Sequence, residues 1–402
     1  MNSYIAELAE YMTPTLKDIN TWELICPRRA LFELKEKKMA GENSSLFVNG
    51  GRLSPLSLYC YLKGRFGPPN GFQMALKKEK DSDNLIHWHY HIVSGPESLQ
   101  IFGMNARVEF WSNTQKVHSD NDWEELLETI KSDYKNWGSK ISEVRKSLEH
   151  WNLFINPFAR LKNIVDQGRS RLSDIDLTLT PPERTNPEKH PEKFKEELEQ
   201  YTKNIHEAAF LCTNLRMVAP VYAESFVNLL IFLLAKQEIK DDDRLYQDLV
   251  RKQIDVRVKS LPLYCQGFID SPSGNDEPFK EFLRLMNRRN DVLHGNVDPM
   301  SLKFDEVWFD EYTPLFKDDK PFAERATYHL LKHIEPSEVI ADIDVVESFI
   351  EYLLARLSPG VREQVERLSE DFYPGWREDT KRVGALFPGH VLDMTYDTCR
   401  RK

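Results

Sequence analysis

A proline-rich, charged segment at residues 181–191 divides the 402-residue sequence into two parts with different hydrophobic patterns. A run so rich in proline and charge cannot form packed structure and is typical of a linker. We therefore predict a linker at 181–193, with separately folded regions on each side of it.

The region 1–180 combines strand-like and helical patterns. Runs rich in aromatic and β-branched residues at 85–93, 98–102 and 107–111 alternate with glycine- and proline-containing turns, which predicts strands. Apolar residues then recur at helical spacing from Asp122, and a further helix is expected around 141–164. We interpret 1–180 as an N-terminal α+β region that serves sensing or recruitment.

The region 194–358 has helical spacing almost throughout and predicts an all-α helical bundle. A long helix begins at Phe194. Pro220 is expected to open a second helix, from Val221 to Lys236, which is apolar nearly all round and therefore central to the bundle. Further helices are predicted at 245–261, 276–294 and 343–357, with an aromatic, acidic insertion at 304–320 and a charged tail at 359–402. The expected fold is thus mostly α: an α+β region followed by the helical bundle.

The helix predicted at 276–294 carries polar residues where it should bury an apolar face. Asp276 is a typical N-cap, Pro278 falls in the first turn, and Gly295 follows the end. At about 100° per residue the apolar side chains form one broad stripe. Its members are Phe279, Phe282, Leu283, Leu285, Met286, Val292 and Leu293.

Three polar residues interrupt or border this stripe. Arg289 is expected near its centre, Asn290 inside it and His294 at its margin. An unpaired buried guanidinium costs several kcal/mol, so an arginine placed here either has a structural partner or supplies its charge to a site. Arg288 falls on the opposite, solvated side.

The pattern Arg289-Asn290-x-x-x-His294 resembles the signature of the HEPN superfamily of helical ribonucleases, and the resemblance covers residues 195 to 357. In that family, Arg and His of one protomer meet their symmetry mates across a dimer interface and cleave RNA without a metal or other cofactor. The resemblance implies that Arg289 holds or polarises the scissile phosphate, that Asn290 orients the site, and that His294 moves protons. It also implies a homodimer whose substrate is RNA.

Glu224 is the predicted supporting residue of this site. It lies four residues before Asn228 on the central helix, so the two share a face, and a buried glutamate is a natural partner for Arg289. In the family, this helix often carries an acidic residue near the site. Both a structural pairing with Arg289 and a direct role at the site remain open.

A second interpretation belongs to a different functional class. Arg289, Asn290 and His294 would then form a buried polar cluster that holds helices in register, and the bundle would be a non-catalytic module for dimerisation or ligand binding. Substitution of His294 separates the two, because loss of RNA cleavage without loss of folding supports the nuclease.

Nucleases of this family are commonly restrained until a trigger is present. We therefore expect a prokaryotic toxin or phage-defence effector with a phage-derived trigger or an inhibitory partner. HEPN toxins silenced by a partner nucleotidyltransferase carry a tyrosine two residues after the histidine, whereas this chain has Asn296. That mode of neutralisation is not expected here.

Composition limits where RNA can bind and where the protein is found. The 54 basic and 64 acidic residues give a net charge of −10, so an RNA site must be a local basic patch. The five cysteines lack zinc-site spacing. The N-terminus lacks a signal-peptide pattern, and the longest strongly apolar run, 229–235, is far shorter than the ~20 residues that span a bilayer. A cytoplasmic protein without membrane contact is expected.

Histidines outside the bundle offer a weaker candidate, a metal site. His87, His89 and His91 alternate on a predicted strand and share one face, and His-x-His can supply two zinc ligands. No acidic or cysteine ligand is adjacent, so no metal is assigned. His329 and His333, four apart on a predicted helix, are interpreted as surface residues.

Overall fold

The structure is a computed structural model of the chain, and the residues it describes are 16–25, 43–76, 85–95, 97–105, 107–114, 118–175, 185–186, 188–294, 300, 303, 306–317 and 335–387. It is mostly helical, with an α+β region at the N-terminal end and helices after it. The chain forms two compact units, 1–150 with 386–402, and 151–385.

The first unit is built on a five-stranded antiparallel sheet. Its strands are β1 (Glu23–Leu24), β2 (Asn43–Val48), β3 (Ile86–Ser94), β4 (Glu97–Met104) and β5 (Val108–Thr114), in the order β1-β3-β4-β5-β2. Its helices are α1 (Pro55–Phe66), α2 (Phe72–Leu76), α3 (Asp120–Asp133) and α4 (Gly138–Ser147). The three strands predicted from turn chemistry are confirmed as β3, β4 and β5.

Alternation along β3 sends Tyr90 and Ile92 into the core of this unit, where they pack with Phe110 of β5. Residues of α1 and α3 complete that core. Helix α3 begins with a capping box, in which the side chains of Ser119 and Asp122 each accept a hydrogen bond from the other's backbone nitrogen.

The second unit is a helical bundle with a small sheet. Its helices are α5 (Pro157–Asp174), α6 (Pro191–Leu234), α7 (Gln237–Asp241), α8 (Asp243–Arg251), α9 (Ile254–Tyr264), α10 (Glu277–His294), α11 (Pro336–Leu354) and α12 (Pro359–Glu370). Its strands are β6 (Asn152–Leu153), β7 (Val307–Asp310), β8 (Thr313–Phe316), β9 (Gly375–Arg377) and β10 (Arg382–Gly384). Strands β10, β9 and β6 form one antiparallel sheet, and β7 pairs with β8.

The division between the units falls at Trp151 rather than at the proline-rich segment. Helix α5, placed in the N-terminal region by sequence, contributes Phe158, Val165 and Leu172 to the core of the bundle. It is also separate from α4, because Asn156 caps its start by accepting a hydrogen bond from Phe158 N. The prediction of a single helix around 141–164 is therefore wrong.

Two further boundaries differ from prediction. Helix α6 begins at Pro191, inside the expected linker, because proline is favoured in the first turn, where its missing N–H costs no helical bond. The segment predicted as a charged tail forms α12, β9 and β10, and Val365 of α12 is buried in the bundle core. Residues 388–402 of that segment lie outside the described residues.

Helix α6 is continuous through Pro220, where two helices were expected. An internal proline removes one hydrogen bond and costs roughly 3 kcal/mol. Here the helix continues because residues on both sides of the proline, including Leu215, Ala219 and Ala223, are buried in the same core. By length and composition α6 could cross a membrane, but half of its most apolar stretch is buried inside the protein, as in the core helix of a soluble protein.

Candidate functional site

Helix α10 carries the Arg-Asn-His motif and is called the motif helix below. Its first three turns are anchored by aromatic packing, because Phe279 and Phe282 are fully buried. The Phe282 ring stacks on Phe349 of α11 with centroids 4.0 Å apart and an interplanar angle of 10°. Leu285 and Met286 are also buried, so the apolar stripe is confirmed over this part of the helix.

Asp276 fixes the beginning of the motif helix to the end of α11. Its backbone carbonyl accepts hydrogen bonds from Phe279 N and Lys280 N. Its Oδ2 atom accepts one from the Tyr352 hydroxyl at 2.7 Å and one from Arg356 Nη2 at 2.8 Å. Hydrogen bonds from the Tyr352 hydroxyl and from Ser273 N, together with the Arg356 charge, hold the pKa of Asp276 below its usual value. The residue expected to cap the helix also joins it to a neighbour.

The last two turns of the motif helix are less buried than the sequence pattern predicts. Arg289 and Asn290 are half-buried, and His294 is exposed. Leu293 is 50% exposed, so the stripe does not continue to it as expected. The aromatic partners Phe349 and Tyr352 of α11 pack against Phe279 and Phe282, in the first two turns of the helix. The three motif residues therefore occupy an accessible helix end.

Arg289 and Asn290 interact directly. Arg289 Nη1 donates a hydrogen bond to Asn290 Oδ1 at 3.1 Å. The Nε atom of Arg289 is buried and has no hydrogen-bond partner within the described part of the chain. Asn290 thus orients the guanidinium without neutralising it, and no carboxylate pairs with Arg289 among the described residues. This arrangement leaves a cation available to an anionic ligand.

Glu224 does not pair with Arg289. Its Oε1 atom lies 3.2 Å from Nη1 of Arg257 on α9, and the same Nη1 donates to Asn228 Oδ1 at 2.8 Å. The predicted shared face of Glu224 and Asn228 is confirmed, but the arginine that they bind is a different one. The Arg257 side chain also donates from Nε and Nη2 to the carbonyl oxygen of Lys252. All three of its nitrogen atoms therefore make hydrogen bonds, and those of Nη1 join α9 to α6.

Arg288, interpreted from sequence as a solvated neighbour, has a specific partner. Its Nη2 atom lies 2.5 Å from Oδ1 of Asp342 on α11, and Asp342 is buried. Burial raises the pKa of Asp342, and the Arg288 charge opposes that increase. Glu338, also on α11, forms an ion pair with Arg216 of α6, in which Glu338 Oε2 lies 3.3 Å from Arg216 Nη2. The motif helix is therefore held beside α11 by an ion pair one residue before Arg289.

Sequence reasoning missed Arg257 and Asp342, although the signal that marked Arg289 was present for both. Arg257 follows Ile254 by three residues and precedes Val258 and Leu261 on one helical face. Asp342 stands between Val339 and Ile343 on the buried side of α11. A charged residue within an apolar stripe indicates a buried ion pair, but the pattern does not say which partner it meets.

Two of the three histidines of β3, His89 and His91, are buried, and His87 is half-buried. The rings of His89 and His91 lie on one face, as predicted, with centroids 6.4 Å apart. His89 stacks on Phe102 and its Nδ1 accepts a hydrogen bond from Gln73 N at 3.3 Å. Burial, and secondarily the nearby His91, lowers the pKa of His89 to about 4. A Cβ atom at Gly71 would come within 2.1 Å of the His89 ring, so only glycine fits there.

A metal site is not formed by these residues. No group of three or more His, Cys, Asp or Glu side chains in the described ranges is arranged to hold a metal ion. His329 and His333 lie outside the described residues. The motif therefore presents a half-buried cation, Arg289, and, five residues further along the helix, an exposed imidazole, His294.

Comparisons with known proteins do not assign this arrangement to a family. No protein-family model, curated protein or solved structure matches the chain.

Proposed function

We propose that this protein is a metal-independent endoribonuclease of the HEPN type. The observation that carries the proposal is the placement of Arg289, Asn290 and His294 at an accessible end of a helix whose beginning is rigidly packed. Binding and catalytic groups need a rigid support and an exposed position, and the motif helix combines the two. The half-buried guanidinium of Arg289, which has no carboxylate partner in the described part of the chain, suits a phosphate.

The proposed reaction uses the nucleophile that RNA itself carries. A histidine takes the proton of the ribose 2′-hydroxyl, the 2′-oxygen forms a bond to phosphorus, and the bond from phosphorus to the 5′-oxygen breaks. A second proton goes to the leaving 5′-oxygen, and the products are a 2′,3′-cyclic phosphate and a 5′-hydroxyl. Arg289 stabilises the charge on the pentacovalent phosphate, because a guanidinium can bind two oxygens of a phosphate at once.

One chain supplies one Arg289 and one His294, whereas the reaction moves two protons. The proposal therefore includes a homodimer with two-fold symmetry, in which each site combines both copies. Its physiological role would be that of a cytoplasmic toxin or phage-defence effector, restrained by an inhibitory partner or awaiting a phage-derived trigger. We leave Glu224 out of the proposed site, because its ion pair with Arg257 gives it a structural role.

The test is cleavage of a single-stranded RNA in excess EDTA, with a 2′-deoxy substituted RNA of identical sequence beside it. Activity should survive the chelator, leave a 2′,3′-cyclic phosphate, and vanish on the deoxy substrate. His294→Ala and Arg289→Ala should each abolish cleavage. Matched controls are His206→Ala, an exposed histidine of α6, and Arg284→Ala, an exposed arginine of the motif helix, and both should cut normally.

Two results would contradict the proposal. Reversible inhibition by EDTA would mean that a metal participates, and cleavage of the deoxy substrate at the same rate would exclude attack by the 2′-hydroxyl. If the His294→Ala protein is folded and cuts normally, the motif is not catalytic. The exposed apolar hairpin β7–β8 would then favour the second candidate, a non-catalytic module for dimerisation or ligand binding.

A further inference from the structure

The insertion that follows the motif helix contains a β-hairpin that is apolar on both faces. β7 and β8 are joined by the two-residue turn Glu311-Tyr312, and every residue from 306 to 317 is exposed. Because side chains alternate along a strand, Phe309 lies on one face and Trp308 on the other. A two-stranded hairpin on its own is marginally stable at best in water. Such a hairpin needs a surface to cover it.

We propose that this hairpin is the surface through which the protein binds a second copy of itself. Residues 307–316 include no lysine or arginine, and two acidic residues lie at the turn end of the hairpin, Asp310 at the end of β7 and Glu311 in the turn. An acidic surface repels the phosphates of RNA, whereas exposed aromatic rings are typical of the centre of a protein interface. The composition of the hairpin therefore favours a protein partner over the substrate.

The two outer edges of the hairpin differ in a way that favours strand pairing through β7. In a two-residue hairpin the pair that flanks the turn, Asp310 and Thr313, is hydrogen-bonded, so Phe309 and Pro314 form the next, non-hydrogen-bonded pair. The nitrogen of Pro314 faces away from β7 and carries no hydrogen, which interrupts the outer edge of β8. The outer edge of β7 has no proline. Antiparallel pairing of β7 with its symmetry mate would make a four-stranded sheet around a two-fold axis.

The exposed aromatic area of the hairpin is large enough to form a substantial part of a dimer interface. Trp308 is 49% exposed, Phe309 67% and Tyr312 95%. With about 150–250 Å² for each full aromatic side chain, these three leave on the order of 400 Å² to be covered. That is about half of the roughly 800 Å² that each partner contributes to a standard interface. The backbone of β7, together with Val307 and Leu315, adds to it.

The position of the hairpin in the chain connects it to the motif. It is the next described strand pair after His294, and the proposed nuclease needs a second copy to complete its site. This step rests on the proposed function, whereas the composition, edge and area of the hairpin do not. A self-complementary surface next to the motif in sequence would bring the two copies together without another protein.

The experiment measures molar mass by light scattering over a range of micromolar concentrations. The wild-type chain should give about twice 47.1 kDa. The double variant Trp308→Ser, Phe309→Ser should give the single-chain mass, or a dimer dissociation constant raised at least tenfold. A second variant replaces residues 306–317 with a glycine-serine linker and should behave alike. Phe210→Ser is the matched control, since Phe210 on α6 is 68% exposed, and it should remain dimeric.

RNA cleavage and RNA binding are measured on the same samples, with circular dichroism as the check of folding. A monomeric wild-type chain, or hairpin variants that stay fully dimeric, would overturn the inference. Dimeric variants that lose RNA binding would assign the hairpin to RNA instead and also overturn it. A wild-type chain that is dimeric through the hairpin but cuts no RNA would uphold the inference and refute only the proposed function.

Discussion

Removal of the Arg257 side chain should destabilise the helical bundle far more than removal of the Arg289 or His294 side chain. The side chain of Arg257 is 6% exposed and makes four hydrogen bonds, to Glu224, to Asn228 and twice to the carbonyl oxygen of Lys252. Deleting one partner of a buried ion pair typically costs about 3–5 kcal/mol. Arg257→Ala should lie in that range, because it also leaves the Lys252 carbonyl without its donors.

Substitutions of Glu224 should lower the free energy of unfolding by a smaller amount. In Glu224→Ala, Arg257 loses one charge-assisted hydrogen bond, worth about 1.5–3 kcal/mol, but keeps Asn228 and Lys252. Glu224 is itself 26% exposed, so part of this loss is screened by solvent, and we expect about 1–2 kcal/mol. Glu224→Gln keeps an acceptor for Arg257 and should cost less again.

The assay is urea unfolding followed by circular dichroism, with RNA cleavage measured on the same proteins under native conditions. Glu196→Ala, an exposed glutamate of the same helix, is the control and should match the wild type in both. Each Glu224 variant should cut RNA at the wild-type rate when folded. If Glu224→Ala abolishes cleavage while its unfolding free energy is unchanged, Glu224 acts in the site and the structural assignment is refuted.

Three further predictions concern charged groups. His294→Ala and Arg289→Ala should each change the unfolding free energy by less than about 1 kcal/mol, since neither is fully buried; a larger loss in urea unfolding would mean a structural role. The folded-state pKa of Asp342 is raised, so its stabilising effect is present at acid pH and lost as pH rises through that pKa. Arg288→Ala should raise this pKa further and therefore destabilise more at pH 7 than at pH 4; an equal loss at both would contradict this. The pKa of His89 is lowered to about 4, so the stabilisation that comes from its neutral form is present above pH 6.5 and is lost as pH falls towards 4. His89→Gln should therefore flatten the pH dependence of the unfolding free energy between pH 6.5 and 4.

The sequence predicted those elements whose signals are local. The strands β3, β4 and β5 were found because turn residues separate them, and the motif helix begins one residue after the predicted cap at Asp276. The break before α5 was also marked locally, by Asn156 and Pro157, but helical spacing on both sides concealed it. Local patterns are reliable where one signal acts alone.

The remaining differences depend on contacts between distant residues. Whether Pro220 ends a helix depends on whether packing on both sides repays the lost hydrogen bond, and the sequence carries no measure of that. The partner of Glu224 could not be chosen either, because Arg257 and Arg289 both lie within apolar stripes and only the packing of α9 against α6 decides between them. Of the candidate site, the residue types and their helix were predictable, and their burial was not.

The motif helix is anchored most strongly in its first turns, and this has a consequence for local opening. Its first turns are tied by Asp276 and by the stack of Phe282 on Phe349, so their amide hydrogens should exchange with solvent only when the bundle opens. In the last turn, Leu293 and His294 are exposed and make no such contact with other described residues, so this turn should exchange by fraying. A ligand or second copy that orders this turn would slow exchange there and leave the first turns unchanged. The free energy needed to order that turn would be subtracted from the affinity for that ligand or copy, which would let the protein bind it specifically and still release it.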